Sequence, residues 1–362
     1  MTNEALINWD VAAAAGKKVV RGGPQIPLKD AVEVVAQLRA AALSADEHVA
    51  RITQIQQPAH SAPTMVVDRP GWIDINATSI STLMDPLVRK LAAQNTTSAV
   101  GRAIGSRVTG AEAGAVMGFL ASRVLGQFDI FGPATGQLLL VAPNIVEAER
   151  KLDVDPADFR LWVCLHEVTH RLQFTAFPWL SDYLRAQVAA LIDESDLDAD
   201  SLKATLSSAV AAIKERRQNE AKNGAKNGGK GILSLLQSPA QKEILDRMTA
   251  VMSLLEGHAE YVMDEVGPSV VPSVASIRAK FKQRRAGRSP IDRLFRKLLG
   301  LEAKMKQYAN GRIFVDGVVS EVGMAGFNVV WTSPQTLPTV SELTSPQDWV
   351  ARVRPTDRLT AT

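Results

Sequence analysis

Apolar residues recur at three- and four-residue spacing along most of the chain, which places them on one side of a helix and predicts helical structure. This spacing is found at residues 28–57, 103–126, 153–174, 177–216 and 232–265. Two short apolar runs, Phe128–Phe131 and Gln137–Ala142, instead flank the turn-like sequence GPATG, an arrangement typical of a β-hairpin. The chain is therefore predicted to be mainly α with a small β-sheet (α+β), and Arg312–Trp331 to include a short extended piece.

One polar segment interrupts the helical pattern. Residues 217–231 are rich in Gly, Asn and Lys and hold almost no large apolar group. Such a segment cannot bury surface, so it is predicted to form a mobile loop. We predict one domain, residues 1–362, that contains this loop.

Composition narrows the function classes. Hydrophobic residues make up 46% and charged residues 22% of the chain, as in ordinary soluble domains. The net charge of +3 lacks the basic excess of a dedicated nucleic-acid binder, so no nucleic-acid partner is expected. The N-terminal sequence shows no secretory signal, and the one cysteine, Cys164, excludes an internal disulfide. Both observations predict a cytoplasmic protein.

The most apolar long stretch of the chain is GAEAGAVMGFLASRVLGQF. Glu112 and Arg123 interrupt it, and its uncharged part is too short to cross a bilayer. Its Gly110, Gly114 and Gly118 follow one another at four-residue spacing, which is typical of a helix that packs closely against a neighbour. We therefore predict a buried helix and no membrane span.

The sequence HEVTH places His166 and His170 four residues apart, with Glu167 next to the first. Positions i and i+4 share one face of a helix, so the two imidazoles can bind one zinc ion while Glu167 reaches a water bound to that ion. Zinc lowers the pKa of this water toward neutrality, and the glutamate takes its proton. A polar helix face that spells the motif by chance would predict no third ligand. Cys164 faces away and is predicted to be a buried apolar residue.

A second helical segment offers carboxylates for the third ligand. Glu256, Glu260 and Asp264 follow one another at one-turn spacing, so one of them can bind the metal while the next orients a ligand histidine. Gly257 leaves room for a neighbouring helix to approach closely. His258 lies on another side of the helix and is predicted to pack elsewhere. Two histidines and one glutamate form a catalytic zinc set that leaves a fourth position for water.

The sequence LLEGHAEYVMDE resembles the glutamate-ligand helix of gluzincins, in which the glutamate before glycine binds zinc. The resemblance implies that Glu256 is the third ligand, and the helical spacing makes Glu260 and Asp264 the candidates to support the ligands. Gluzincins usually place this glutamate a few tens of residues after the second histidine. Here residues 171–255 lie between the two.

Longer blocks extend the resemblance over almost the whole chain. They include VVDRPGWIDINATSI, LHEVTHRLQF, MSLLEGHAEYVMD and LPTVSELTSPQDWVARV, and they resemble the zincin-like metallopeptidase type 2 family. Its actinobacterial and chloroflexal members are labelled as hydrolases associated with biosynthesis of the deazaflavin coenzyme. The resemblance implies one zincin-like domain with Zn²⁺ as its cofactor, and it names no substrate.

The sequence therefore predicts a zinc-dependent metallopeptidase that hydrolyses a peptide or small amide bond, with Glu167 as general base. Gln137–Pro143, shortly before the HEVTH helix, is predicted to be the edge strand along which an extended substrate adds. The residue that stabilises the oxyanion is not assigned, and Tyr261 and Tyr308 are open candidates.

Two other functions stay open. A zinc-binding but non-proteolytic scaffold or binding protein, linked to a coenzyme pathway, would keep the metal and close the site. A protein without metal would act through interactions alone, with the basic run Arg278–Lys297 as its contact surface. Alternatively, this basic run is the solvent-exposed face of a helix and contacts no partner.

Overall fold

The computed structural model of the chain describes residues 7–58, 62–94, 99–133, 135–194, 199–219, 238–286 and 310–353. Helices form most of this structure. They are α1 (Trp9–Val19), α2 (Leu28–Thr53), α3 (Arg69–Gln94), α4 (Ala99–Ala121), α5 (Ala142–Leu152), α6 (Pro156–Ala176), α7 (Trp179–Asp193), α8 (Ala199–Asn219), α9 (Pro239–Glu265), α10 (Val274–Ala286), α11 (Asn310–Phe327) and α12 (Pro346–Val353). Short 3-10 turns at Asn328–Trp331 and Pro334–Thr336 follow α11.

Three short strands form one mixed sheet. They are β1 (Thr64–Val67), β2 (Gly126–Asp129) and β3 (Gln137–Val141), in the order β1-β3-β2. β3 pairs parallel with β1, where Leu138 lies opposite Thr64, and antiparallel with β2, where Leu138 lies opposite Phe128. The predicted hairpin and the predicted mainly helical fold with a small sheet are both confirmed.

β3 is the central strand, so the prediction that Gln137–Pro143 forms an edge strand is wrong. The reason is β1, which the apolar pattern did not set apart and which pairs with the side of β3 that the hairpin leaves free. A continuous apolar run is typical of a strand that is buried on both faces, and Leu138–Val141 are all fully buried. The two edge strands of the sheet are β1 and β2, and β2 is the one that belongs to the hairpin.

The side chains of β3 alternate between two apolar cores. Leu138 and Leu140 belong to the larger core, to which α2, α6, α9 and α11 contribute. Leu139 and Val141 belong to the smaller core, which contains residues of α1, α3 and α4. Because successive side chains of a strand point to opposite faces, this one strand separates the two cores.

The smaller core brings α1 and α4 into backbone contact. A Cβ atom on Gly114 of α4 would collide with the carbonyl oxygen of Ala12 in α1, and one on Gly118 would lie 2.8 Å from the carbonyl oxygen of Gly16. Gly110 likewise faces the backbone of Asn8. The prediction of a closely packed helix at these glycines is confirmed.

One helical segment of the described residues, Gly311–Trp331, is long and apolar enough to cross a membrane. The core helix of a soluble protein has the same length and composition, and Phe314 and Val318 of this segment are fully buried in the larger core. The segment is helical throughout except at Gly323, which has a φ of 71°. The predicted extended piece in Arg312–Trp331 is therefore wrong.

Three sequence predictions fall wholly or partly outside the described residues. The predicted mobile loop at residues 217–231 begins within α8, which ends at Asn219, and the rest of it lies outside them. Of the basic run Arg278–Lys297, α10 contains the part up to Ala286. Tyr308 also lies outside the described residues.

Candidate metal centre

Helix α6 carries the two histidines of HEVTH on one side. Asp155 caps the start of this helix by accepting a hydrogen bond from a backbone N–H of the first turn, as N-cap aspartates do. Leu165 and Val168 are fully buried in the larger core, which fixes the rotation of α6. His166 and His170 are only partly buried, and their imidazoles face α9.

Helix α9 carries Glu256 and is held close to α11 beside it. Ser238 and Gln241 form a capping box at the start of α9. A Cβ atom on Gly257 would collide with the backbone of Gly311 in α11. The predicted close approach of a helix at Gly257 is confirmed. The contact holds α9 against α11 at the residue next to Glu256.

The two histidines and Glu256 converge. Nε2 of His166 and Nε2 of His170 are 3.1 Å apart, and carboxylate oxygens of Glu256 lie 3.7 Å from the first and 3.5 Å from the second. Ligand atoms bound tetrahedrally to zinc at about 2.0–2.2 Å are roughly 3.3–3.6 Å from one another. The three side chains therefore fit a zinc ion. The part of the chain that the structure describes holds no other group of three His, Cys, Asp or Glu side chains so placed.

Glu167 lies beside this group and is 7% exposed. A Cβ atom on Gly126 of β2 would be 2.5 Å from the carboxyl carbon of Glu167, so the carboxyl group rests against the outer strand of the sheet. Burial, together with the nearby carboxylate of Glu256, raises the pKa of Glu167 to about 8. A cation bound nearby would lower this pKa.

The second ring nitrogens of the two histidines contact different groups. Nδ1 of His166 lies 3.2 Å from Sδ of Met263 on α9. Nδ1 of His170 lies 3.0 Å from Oε1 of Gln173 on α6. Sequence reasoning did not single out Gln173. The available indication was a polar residue three positions after His170, which is close enough on a helix surface for contact.

The structure places Asp264 in a cluster with two arginines, where it forms ion pairs with Arg278 and Arg312. Arg312 also donates a 2.9 Å hydrogen bond to the backbone carbonyl oxygen of Glu260 and lies over the ring of Tyr261, 5.2 Å from its centroid. This cluster lies one to two turns along α9 from Glu256. Asp316 also forms an ion pair with Arg312, so the charges of this cluster largely cancel.

His258 and Cys164 are both buried. The ring of His258 packs against Phe327 and Trp331, with centroid distances of 5.3 and 5.4 Å. Burial, together with the nearby His170, lowers the pKa of His258 to about 3. Cys164 is fully buried, as predicted, and its Sγ lies 3.8 Å from the carbonyl oxygen of Leu38. Burial raises the pKa of this thiol, which disfavours the reactive thiolate.

Comparison with known proteins finds similarity over nearly the whole chain. Residues 7–350 match the family described as zincin-like metallopeptidase. The chain is also similar to the crystal structure of a "putative hydrolase with a novel fold" from Chloroflexus aurantiacus, with 29% identity and a TM-score of 0.69 over 96% of this chain and 98% of the other. Among curated proteins, none matches this chain.

Proposed function

Because the chain belongs to the zincin-like metallopeptidase family, we propose that it is a zinc-dependent hydrolase that cleaves a peptide or small amide bond. The observation that carries the proposal is the group of ligand atoms on His166, His170 and Glu256 at separations suited to one zinc ion. The carboxyl group of Glu167 lies next to that group. The description of the similar Chloroflexus protein as a hydrolase supports the same reaction class.

The proposed roles divide between binding and proton transfer. His166, His170 and Glu256 hold the zinc ion, which when bound polarises a carbonyl group and lowers the pKa of water. Glu167 takes a proton from the attacking water as the C–O bond forms, and passes it to the leaving nitrogen as the C–N bond breaks. A carboxyl group whose pKa lies near neutrality can both accept this proton and give it up. We propose supporting roles for Glu260 and for Asp264 through the arginine cluster.

The outer strand β2 is the proposed docking edge for an extended substrate. It is a terminal strand of the sheet, and its Gly126 touches Glu167. A peptide that added to this edge would run past the proposed general base. The location we propose is the cytoplasm, and the partner we propose is the peptide or amide substrate, with no nucleic acid.

The low exposure of Glu167 favours a second candidate. A zinc-binding protein without proteolytic activity would keep the three ligands and bury the carboxyl group, and Glu167 is 7% exposed. The sequence resemblance links this alternative to a pathway of deazaflavin coenzyme biosynthesis. It predicts bound zinc together with no hydrolysis of any peptide or amide.

The test is zinc quantification combined with hydrolysis of a peptide mixture. We expect about one zinc per chain in the wild type, loss of zinc in His166→Ala and Glu256→Ala, and retention of zinc in Glu167→Gln with a rate about 10²–10⁴-fold lower, the usual contribution of a general base. His48→Ala is the matched control, because His48 lies on α2 and contacts Arg51. Equal zinc in the wild type and the ligand variants would refute the site, and zinc without hydrolysis would favour the second candidate.

A further inference from the structure

We propose that Gln173 is a positioning residue for the metal centre, which fixes the tautomer of His170 and ties the two ligand-bearing helices together through His258. This inference rests on the proposed function, because it assigns a role toward the metal that His166, His170 and Glu256 would hold. It adds a buried polar link between α6 and α9 to that site.

The orientation of the Gln173 amide follows from one backbone group. The amide nitrogen lies 3.1 Å from the carbonyl oxygen of Leu255, which can only accept a hydrogen bond. The nitrogen must therefore face Leu255, and the amide oxygen must face His170. That oxygen lies 3.0 Å from Nδ1 of His170, so Nδ1 carries the proton and donates it.

The tautomer of His170 is thereby set. With the proton on Nδ1, the lone pair of Nε2 points toward His166 and Glu256, as a metal ligand requires. A hydrogen bond at the far nitrogen also fixes the ring plane and raises ligand basicity. The contact of His166 with Met263 supplies a weaker acceptor, because thioether sulfur accepts hydrogen bonds poorly.

The second N–H of the amide reaches His258. The amide nitrogen of Gln173 lies 3.0 Å from Nδ1 of His258, and both side chains are fully buried. An amide N–H can only donate, so Nδ1 of His258 is the acceptor in this contact. Both N–H groups and the oxygen of the Gln173 amide therefore have hydrogen-bond partners, which is the condition for a buried polar group to be held in one place.

The Gln173 amide joins α6 to α9 beside the third ligand, Glu256. Gln173 and His170 belong to α6, whereas Leu255 and His258 belong to α9 and flank Glu256 in the sequence. One amide therefore fixes the distance between a histidine ligand and the backbone next to the carboxylate ligand. Its loss should loosen the metal site before it disturbs the fold.

The experiment measures the zinc dissociation constant by competition with a chelator and records the absorption spectrum of the Co²⁺-substituted protein. We expect Gln173→Leu to bind zinc about 10–100-fold more weakly, the usual cost of removing such a partner, with altered Co²⁺ bands. Gln173→Glu keeps an acceptor for Nδ1 of His170 but loses both N–H donors and turns a carboxylate oxygen toward the carbonyl oxygen of Leu255, so it should recover only part of the affinity. His258→Leu removes one bond of the three and should weaken binding about 3–10-fold.

Gln241→Leu is the matched control. Gln241 is also buried on α9 and donates to a backbone carbonyl, that of Glu194, but it lies at the far end of the helix. We expect it to lower stability and leave both the zinc affinity and the Co²⁺ spectrum unchanged.

The outcomes separate the two proposals. If the wild type binds no zinc, the proposed function and this inference both fail. If the wild type binds zinc and Gln173→Leu binds it equally well, the metal site stands and the role of Gln173 is refuted. Should Gln173→Leu fail to fold, His258→Leu decides: a zinc affinity and a Co²⁺ spectrum that are both unchanged, as expected for Gln241→Leu, would overturn the inference.

Discussion

Among the residues that the structure describes, two pairs of helices touch backbone to backbone at glycine, and they differ in which residues the contact positions. α1 meets α4 where Gly114 faces Ala12, within the smaller core. α9 meets α11 where Gly257 faces Gly311, next to Glu256. Glycine serves the same purpose in both, because a methyl group at either place would collide with the neighbouring backbone. Only the second contact positions a proposed metal ligand.

Buried polar groups sharpen the difference between the two contacts. The residues nearest to Gly114 across the contact are Ala12, Ala15 and Gly16, so no polar side chain lies against this glycine. Near the α9–α11 contact, Gln173 and His258 are fully buried and hydrogen-bonded to each other. Damage to the first contact should therefore lower stability alone, and damage to the second should lower stability and metal affinity together.

The largest effect is expected from Gly257→Ala. The added methyl group would have to move the backbone of α11 away from α9, and overpacking of this kind costs about 3 kcal/mol or more when no flexible side chain can yield. Because Glu256 is the adjacent residue, zinc affinity should fall about 100-fold or more. Equilibrium denaturation and chelator competition measure the two quantities. Normal zinc affinity in a destabilised variant would show that the contact does not position Glu256.

A smaller effect, confined to stability, is expected from Gly114→Ala. The methyl group would press on the backbone of α1, at a cost of about 1–3 kcal/mol, and zinc affinity should stay within about twofold. Gly105→Ala is the matched control on the same helix, since no atom lies within 4 Å of its added Cβ. That control should gain up to about 1 kcal/mol from helix propensity. A loss of zinc affinity in Gly114→Ala would mean that the two contacts are coupled.

The local pattern predicted both contacts, because each is encoded in spacing along a single helix. Gly110, Gly114 and Gly118 fall on one face at four-residue intervals, and Gly257 adjoins the carboxylate of Glu256. Periodicity also indicated the helices, the hairpin and the shared face of the two histidines. In each case the information lies within a few turns of chain.

What the sequence did not indicate depends on partners far apart in the chain. The central place of β3 requires β1, which lies some seventy residues before it and whose short run Thr64–Val67 has no distinctive alternation. The partner of His170 proved to be Gln173, whose orientation depends on Leu255. Neither the residue spacing nor the composition of α6 indicates the hydrogen bond from Gln173 to Leu255.

The contact between Gly126 and Glu167 also joins residues far apart in the chain. Substitution of this glycine should change stability less than the substitutions at Gly257 and Gly114. The Cβ of Gly126→Ala would meet the carboxyl group of Glu167, 2.5 Å from its carboxyl carbon. Cγ of Glu167 is equally close, so this side chain would have to turn within its buried site, at a cost of about 1 kcal/mol. A displacement of about 1 Å at a reacting group can still lower the rate about 100-fold. We therefore expect near-normal stability, normal zinc content and a kcat lower by about 10–100-fold.

Gly132→Ala in the same hairpin distinguishes this effect from general damage to the sheet. Its methyl group would also meet a carboxyl group, that of Asp129, but this carboxylate accepts hydrogen bonds from Ser79, Gln137 and two backbone N–H groups. It cannot yield freely, so Gly132→Ala should lose about 1–2 kcal/mol of stability and keep its kcat. If instead Gly126→Ala kept full kcat, the carboxyl group would not need its place against β2. The glycine would then be a requirement of packing alone, as Gly114 is.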